Sequence, residues 1–156
     1  MEIIGITYCE GKGLPRIPVS ERLASRQNGI EGDRFGQSKR RQVSIVCIES
    51  WNKACNELGI KLDWLCRRVN LLTTGREFSE MDIGKFLQIG NCVLEVMSEC
   101  TPCYKMNRHA DGLEDALTPA FRGGICCRVV NDGVIREGDK AIWHERHPED
   151  QQMALL

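Results

Sequence analysis

Residues 86–103 read as a β-hairpin that runs straight into a cysteine pair. Phe86 to Ile89 leads through Gly90–Asn91, a dipeptide suited to a tight connection, into a second run, Cys92–Glu99. Within that run Val93, Glu95, Met97 and Glu99 alternate with Leu94, Val96 and Ser98, the period of two expected of a strand. Pro102 has no N–H to give to a ladder, so the strand must stop near it. Cys100 and Cys103 therefore sit where a rigid element hands over to a loop, which is where chemistry is usually placed.

Short runs of the same kind recur along the chain. Ile3 to Tyr8, Gln42 to Ile48, Ile125 to Val130, Val134–Ile135 and Lys140 to Trp143 read as strands. Asp132–Gly133 carries the signature of a hairpin turn, after which Val134 and Ile135 would pair back onto the preceding strand. Trp51, Ala54, Cys55 and Leu58 fall at helical spacing, with Gly59 placed to end that helix. Leu113 to Leu117 reads as a helical turn closed by Pro119. GKGLPRIP (11–18) is a loop, and GIEGDRFG (29–36) is a turn system whose glycines permit unusual backbone. The segment 19–28 is ambiguous. About seven or eight closely spaced strands with one or two short helices predict a mostly β barrel or sandwich.

A chain of 156 residues predicts one domain, here 1–143, followed by a surface tail over 144–156 that lacks a clear pattern and is expected to be flexible. Burial of about 68–70% of the unfolded surface is enough to fold without cross-links. The balance of 21 basic and 22 acidic residues, net charge −1, argues against general attraction to nucleic acid or membranes. No secretory signal is visible, and no stretch approaches the roughly 20 apolar residues of a membrane helix. Nine cysteines without a signal then predict a reduced, cytoplasmic protein.

Three readings of Cys103 compete. It can be a buried free thiol, since cysteine packs as a small apolar residue. It can belong to a redox or metal pair with Cys100, since Cys-x-x-Cys is the spacing of both. It can be a single nucleophilic or sulfur-carrying thiolate. A thioredoxin-type site is disfavoured because YKMNRHADG, which follows, has no apolar helical stripe. A zinc site with Cys126 and Cys127 is disfavoured because adjacent strand residues point to opposite faces. Arg67, Arg68 and Asn70 interrupt an apolar segment; either arginine could snorkel to solvent or bind an oxyanion with its planar fork.

Taken in order, GIEGDRFG, the Arg67–Arg68–Val69–Asn70 segment, IGNCVLEV, the Pro102–Cys103 pair and RGGICCRVVNDGVIREGD resemble the MOSC family, over roughly residues 1–143. This is the domain at the C-terminus of molybdenum cofactor sulfurases, which also occurs as small free-standing bacterial proteins. The resemblance implies a β-barrel of short antiparallel strands. It implies that Cys103 carries sulfur as a persulfide or contacts the molybdenum centre, so that Cys103 is both the catalytic and the metal-contacting candidate. The family's Gly-rich turn falls on Gly29, Gly32 and Asp33, its Arg/Asn segment on Arg67, Arg68 and Asn70, and its late strand on Arg122, Gly123 and Gly124; with the nearby cations Arg34 and Lys105, the cofactor-binding candidates are Arg34, Arg68, Asn70, Lys105, Arg122, Gly123 and Gly124. In relatives the segment is often Gly-Glu-Asn or Arg-Arg-Asn; here Val69 intervenes before Asn70. If the segment is a strand, period two puts Arg68, and not Arg67, on the side of Asn70.

The chemistry implied is binding or sulfuration of molybdenum cofactor, as a sulfurtransferase-type enzyme or as a component of a molybdoenzyme system. A persulfide carrier needs a thiolate, and Arg34, Arg68, Lys105 and Arg122 are the cations expected to favour it and to receive a cofactor phosphate. The chain has no room for a pyridoxal-phosphate sulfurase domain, so a cysteine desulfurase or redox partner is expected on another chain. The alternative is a non-catalytic cofactor- or anion-binding module that acts with a partner oxidoreductase, with or without a molybdenum link.

Overall fold

The computed structural model describes residues 1–150. The elements in chain order are β1 (Glu2–Tyr8), β2 (Ile17–Val19), β3 (Glu21–Ser25), β4 (Gly29–Ile30), β5 (Val43–Cys47), α1 (Ile48–Glu57), β6 (Leu71–Thr74), β7 (Phe86–Ile89), β8 (Cys92–Glu99), α2 (Leu113–Leu117), β9 (Ile125–Asn131), β10 (Gly133–Arg136) and β11 (Ala141–His144). The mostly β class is as expected. The β7–β8 hairpin is present with Ile89 opposite Cys92. Gly90, at φ +60, supplies the left-handed residue that this tight turn requires.

Eight strands form one sheet in the order β11-β7-β8-β9-β5-β6-β1-β2, and β10-β3-β4 form a second. The buried faces of the large sheet meet in a core that includes Ile3, Ile6, Ile45, Leu71, Leu87, Leu94, Ile125 and Val129. A second apolar cluster lies between α1 and α2, with Trp51, Ala54, Leu113 and Leu117. Trp51 also donates its indole N–H to the Leu62 carbonyl at 2.9 Å, which satisfies the one polar atom it buries.

Three expectations are corrected. The sheet is not a closed barrel. The free edge of β1 is divided, because Ile6–Tyr8 pair with β2 while only its first residues reach the far end of the sheet. There Ile3 N–H donates to Asp139 (2.9 Å), Gly138 N–H to Ile3 (2.7 Å) and Ala141 N–H to Met1 (2.9 Å), with one bridge between Glu2 and Lys140. Nor are all pairs antiparallel. β5 and β6 run parallel, because α1 and a 3₁₀ turn at Trp64–Arg67 lie between them and return the chain to its starting end. Finally, Asp132–Gly133 does not close a hairpin. β9 already has β8 and β5 on its two edges, so β10 crosses to pair with β3. Asp132 instead accepts the Arg26 N–H at 2.8 Å.

The expected tail starts by packing on the sheet. His147 bonds Asn131 at 3.0 Å, its ring lies 5.6 Å from that of Phe86, and Glu145 pairs with Lys85 at 3.4 Å. Residues 151–156 lie outside the described residues. Among the described residues no helix is long and apolar enough to cross a membrane.

Candidate functional site

Of the nine cysteines, Cys103 is the exposed one; Cys66 is half-buried and the other seven are buried. This removes the buried-thiol reading of Cys103. It lies just before a 3₁₀ helix, Tyr104–Arg108, and its carbonyl accepts the Met106 N–H at 3.0 Å. Met106 inserts into the α1–α2 cluster and pins the loop from one side. Burying a methionine contributes about 1.5–3 kcal/mol.

The other side of the loop is held from below. Cys100 N–H donates to Gly124 at 2.8 Å. Gly123 packs so close that a Cβ there would lie 2.5 Å from the Cys100 carbonyl oxygen and 2.9 Å from Pro102 Cδ. Only glycine fits that approach. Arg67, buried at 7% exposure, ties the layers together: Nε donates to the Gly123 carbonyl at 3.0 Å, Nη2 to the Cys100 carbonyl at 2.7 Å, and Nη2 lies 3.5 Å from Cys100 Sγ. Left-handed backbone at non-glycine residues occurs at Arg68 (φ 62), Ala120 (φ 53) and Phe121 (φ 55), beside the two segments that grip the loop. Each such residue costs about 1–3 kcal/mol, and strain of this kind collects at functional sites.

The structure separates the expected cofactor-binding residues. Arg68 is exposed and points away from the Cys100 loop, with Nη2 3.6 Å from Cys9 Sγ and 3.4 Å from the Leu14 carbonyl. Period two does not govern this segment, because a 3₁₀ turn followed by a left-handed residue replaces the strand. Arg67 is therefore the arginine beside the cysteine pair. Asn70 is buried and fully engaged: Oδ1 accepts from Ser44 N–H at 3.0 Å, and Nδ2 donates to the Thr7 carbonyl at 3.2 Å. It fastens β1 to β5. Arg122 turns toward the helices, pairing with Glu57 at 2.9 Å and the Ala116 carbonyl at 3.0 Å. Gly123 and Gly124 support the loop; a Cβ on Gly124 would meet Ile45 O at 2.0 Å. Lys105 is exposed on the 3₁₀ helix that follows Cys103.

Arg34 belongs to a second group of cations. Asp33, half-buried as a residue but with its side chain 2% exposed, stands in the GIEGDRFG turn and accepts N–H bonds from Cys9 (2.9 Å) and Phe35 (3.2 Å). Arg16, half-buried, lies 3.9 Å from Asp33 and donates to Thr7 Oγ1 at 3.0 Å and the Val69 carbonyl at 3.1 Å. Burial lowers the Arg16 pKa, Asp33 opposes that, and nearby Arg68 and Arg34 lower it further. Arg16 is thus paired with the Asp33 carboxylate, with Arg34 and Arg68 close enough to act on its charge. Arg16 gave no signal in the sequence beyond standing in a Gly- and Pro-rich loop.

The thiols divide by environment. Burial pushes Cys92 up to about 12 and raises Cys47, Cys55, Cys66 and Cys127. Cys100 alone is lowered: the Cys126 thiol hydrogen-bonds to it, against the effect of burial, and Arg67 and Arg41 favour its anion. Cys126 is raised by the same bond and by burial. Cys126 shares an apolar cluster with Cys100, whereas Cys127 lies in the main core, so adjacent strand residues do face opposite ways.

A family model described as MOSC domain matches residues 32–141. No curated protein matches the sequence. The fold is similar to that of the YuaD protein from Bacillus subtilis, at 19% identity and TM-score 0.80, over 94% of this chain and 96% of that one. It is also similar to YiiM from Geobacillus stearothermophilus (18%, TM-score 0.71, 93% and 75%) and YiiM from Escherichia coli (20%, TM-score 0.70, 94% and 71%). At these identities the structural likeness speaks for the fold.

Proposed function

Since the chain belongs to the MOSC domain family, we propose that it binds molybdenum cofactor or a related small molecule and carries sulfane sulfur as a persulfide on Cys103. The family is associated with functions related to molybdenum cofactor sulfurases. The observation that carries the reading to this chain is the single exposed cysteine, presented on a loop that Arg67, Gly123 and Met106 hold from both sides. A thiol that must meet another protein and then a cofactor has to be accessible and fixed in place.

The kinds of residue present support the cofactor reading. Among the described residues no three His, Cys, Asp or Glu side chains converge on a point that could hold a bare ion. A pterin that brings its own metal ligands asks the protein for one thiol and for cations to receive its phosphate. In this reading Cys103 supplies the thiol, and the charge comes from the separate group of Arg16, Arg34 and Arg68, in which Arg68 is turned toward Cys9 and Leu14 and away from the Cys100 loop. When bound, the cofactor supplies a metal able to take a sulfur donor. The donor side involves this chain's own atoms: the Cys103 thiolate attacks the outer sulfur of a persulfide on a partner desulfurase, the S–S bond of that persulfide breaks, and the partner's thiolate leaves with the electron pair.

Incubation with a cysteine desulfurase and cysteine, followed by intact and fragment-ion mass spectrometry, tests this. One added sulfur on Cys103, reversed by reductant, lost in Cys103→Ser and kept in Cys100→Ser, is the expected result. Absence of added sulfur on the folded protein would sink the carrier role. Cofactor binding that survives Cys103→Ser would then favour a binding module acting beside a partner oxidoreductase.

A further inference from the structure

Cys100 and Cys126 form a second thiol site that the exposed Cys103 does not explain. Ser98 is the register partner of Cys126, and Cys100 lies two residues further along β8's line, so the two cysteines are diagonal neighbours on one face. They are 6% and 5% exposed, and they pack in one apolar cluster. Both line a cleft of about 320 Å³, with Ser38, Arg40, Arg41, Ser98, Glu99 and Thr101 forming the rest of its wall. Arg40 and Arg41 are exposed on the loop that follows the GIEGDRFG turn, and Arg41 stacks 4.6 Å over the Phe35 ring. The cleft thus joins two guanidinium groups and three hydroxyls to a thiol pair, with Glu99 as its one acid.

Each part of that arrangement restricts the ligand. Guanidinium forks and hydroxyl donors suit a small oxyanion. A thiol so little exposed cannot meet the sulfur of another protein, although a small anion in the cleft can approach it. Arg67 Nη2, 3.5 Å from Cys100 Sγ, and the Cys126 S–H both favour a sulfur anion at position 100 over a neutral thiol. We propose that this cleft is a separate sulfur-loading site, in which Arg40 and Arg41 hold a sulfane oxyanion of the thiosulfate class and Cys100 attacks its terminal sulfur. In that step the Cys100 thiolate forms a new S–S bond, the S–S bond of thiosulfate breaks, and sulfite leaves with the electron pair. The total charge is unchanged. The resulting persulfide anion takes over the hydrogen bonds from Cys126 and Arg67. The inference names a sulfur donor for the carrier proposed above. It rests on that reading only for what the loaded sulfur is used for.

The test uses the full chain, reduced and then freed of reductant, with thiosulfate as the sole sulfur source. Sulfite release and fragment-ion mapping are read together, because Cys92, Cys100 and Cys103 are not separated by any lysine or arginine. Release of one sulfite per added sulfur, with the sulfur on Cys100 and undiminished in Cys103→Ser, is expected. Arg41→Gln, at an exposed position, slows loading about tenfold, as for loss of a hydrogen bond to a charged group. Cys100→Ser abolishes loading; if that variant does not fold, the mapping and Arg41→Gln still decide. No sulfite release from folded protein overturns the proposal. Sulfur found only on Cys103, or a rate unchanged in Arg41→Gln, overturns it as well. Desulfurase-dependent loading of Cys103 is a different reaction, so either proposal can fail alone.

Discussion

Arg67 reaches 33 positions along the chain to donate to the Cys100 carbonyl at 2.7 Å, and the same nitrogen lies 3.5 Å from the Cys100 sulfur. One buried guanidinium thereby fixes the backbone that leads to Cys103 and sets the charge around the neighbouring thiol.

Arg67→Met keeps much of the volume but leaves the buried Gly123 and Cys100 carbonyls without that donor. Each orphaned buried acceptor costs about 1–3 kcal/mol, so the variant should lose about 2–6 kcal/mol in urea denaturation. Arg67→Lys, which keeps charge without the fork, should lose less. A loss under about 0.5 kcal/mol, the size seen at ordinary surface positions, would show that the guanidinium does not hold the loop.

Gly123→Ala places a methyl 2.5 Å from the Cys100 oxygen and 3.2 Å from Arg67 Nη2. Backbone must move, at a cost of about 1–3 kcal/mol typical of overpacking. The loop carrying Cys103 moves with it, so desulfurase-dependent sulfur loading should fall more than the loss of folded protein explains. Loading that simply tracks the folded fraction would reduce Gly123 to a packing residue.

Asp82 should control the acid limb of stability. It is fully buried; burial would raise its pKa, but the bidentate Arg76 fork (2.9 and 2.7 Å), the Ser79 N–H and Lys85 outweigh that and lower it. A carboxylate lowered on folding adds stability that is full above its unfolded pKa, about 3.9, and is lost as pH falls through the folded value. Urea midpoints should therefore decline below about pH 4 in the native chain. In Asp82→Asn they should start lower and decline less. Parallel curves would mean other carboxylates dominate.

Iodoacetamide labelling of the native protein should order the thiols by exposure and environment. Cys103 is exposed, and Cys100 lines a cleft with its thiol lowered by Cys126, Arg67 and Arg41, so both should label. Cys92 and Cys127, buried and raised, should label only after unfolding. Labelling of Cys92 at the rate of Cys100 would contradict the environments described.

The β7–β8 hairpin, α1 with Gly59 at its end, and the strand running into Pro102 were all legible because their signals are local: a period of two or 3.6, a turn dipeptide, a missing N–H. The ordered motifs carried the family, and the exposed position of Cys103 agrees with its place after a strand. What failed was partner choice. Asp132–Gly133 has the chemistry of a hairpin turn, but both edges of β9 are taken by strands far away in sequence, so β10 pairs with β3. Arg68 was favoured over Arg67 on an alternation that holds only in a strand, and a 3₁₀ turn occupies the site.

Although it did not determine β2, β3, β4 or β6, the sequence by itself determined the strands and helices with a clear local period, the family and the placing of Cys103 after a strand. Each of these depends on neighbours a few residues apart. Only the tertiary structure decided that the sheet stays open between β1 and β11, that Arg67 faces Cys100 while Arg68 turns toward Cys9 and Leu14, and that Cys126 packs beside Cys100. Those relations link residues far apart in the chain, from 26 positions for Cys100 with Cys126 to 138 for Glu2 with Lys140. The geometry that joins them is set by the packing of the whole sheet and by no local pattern.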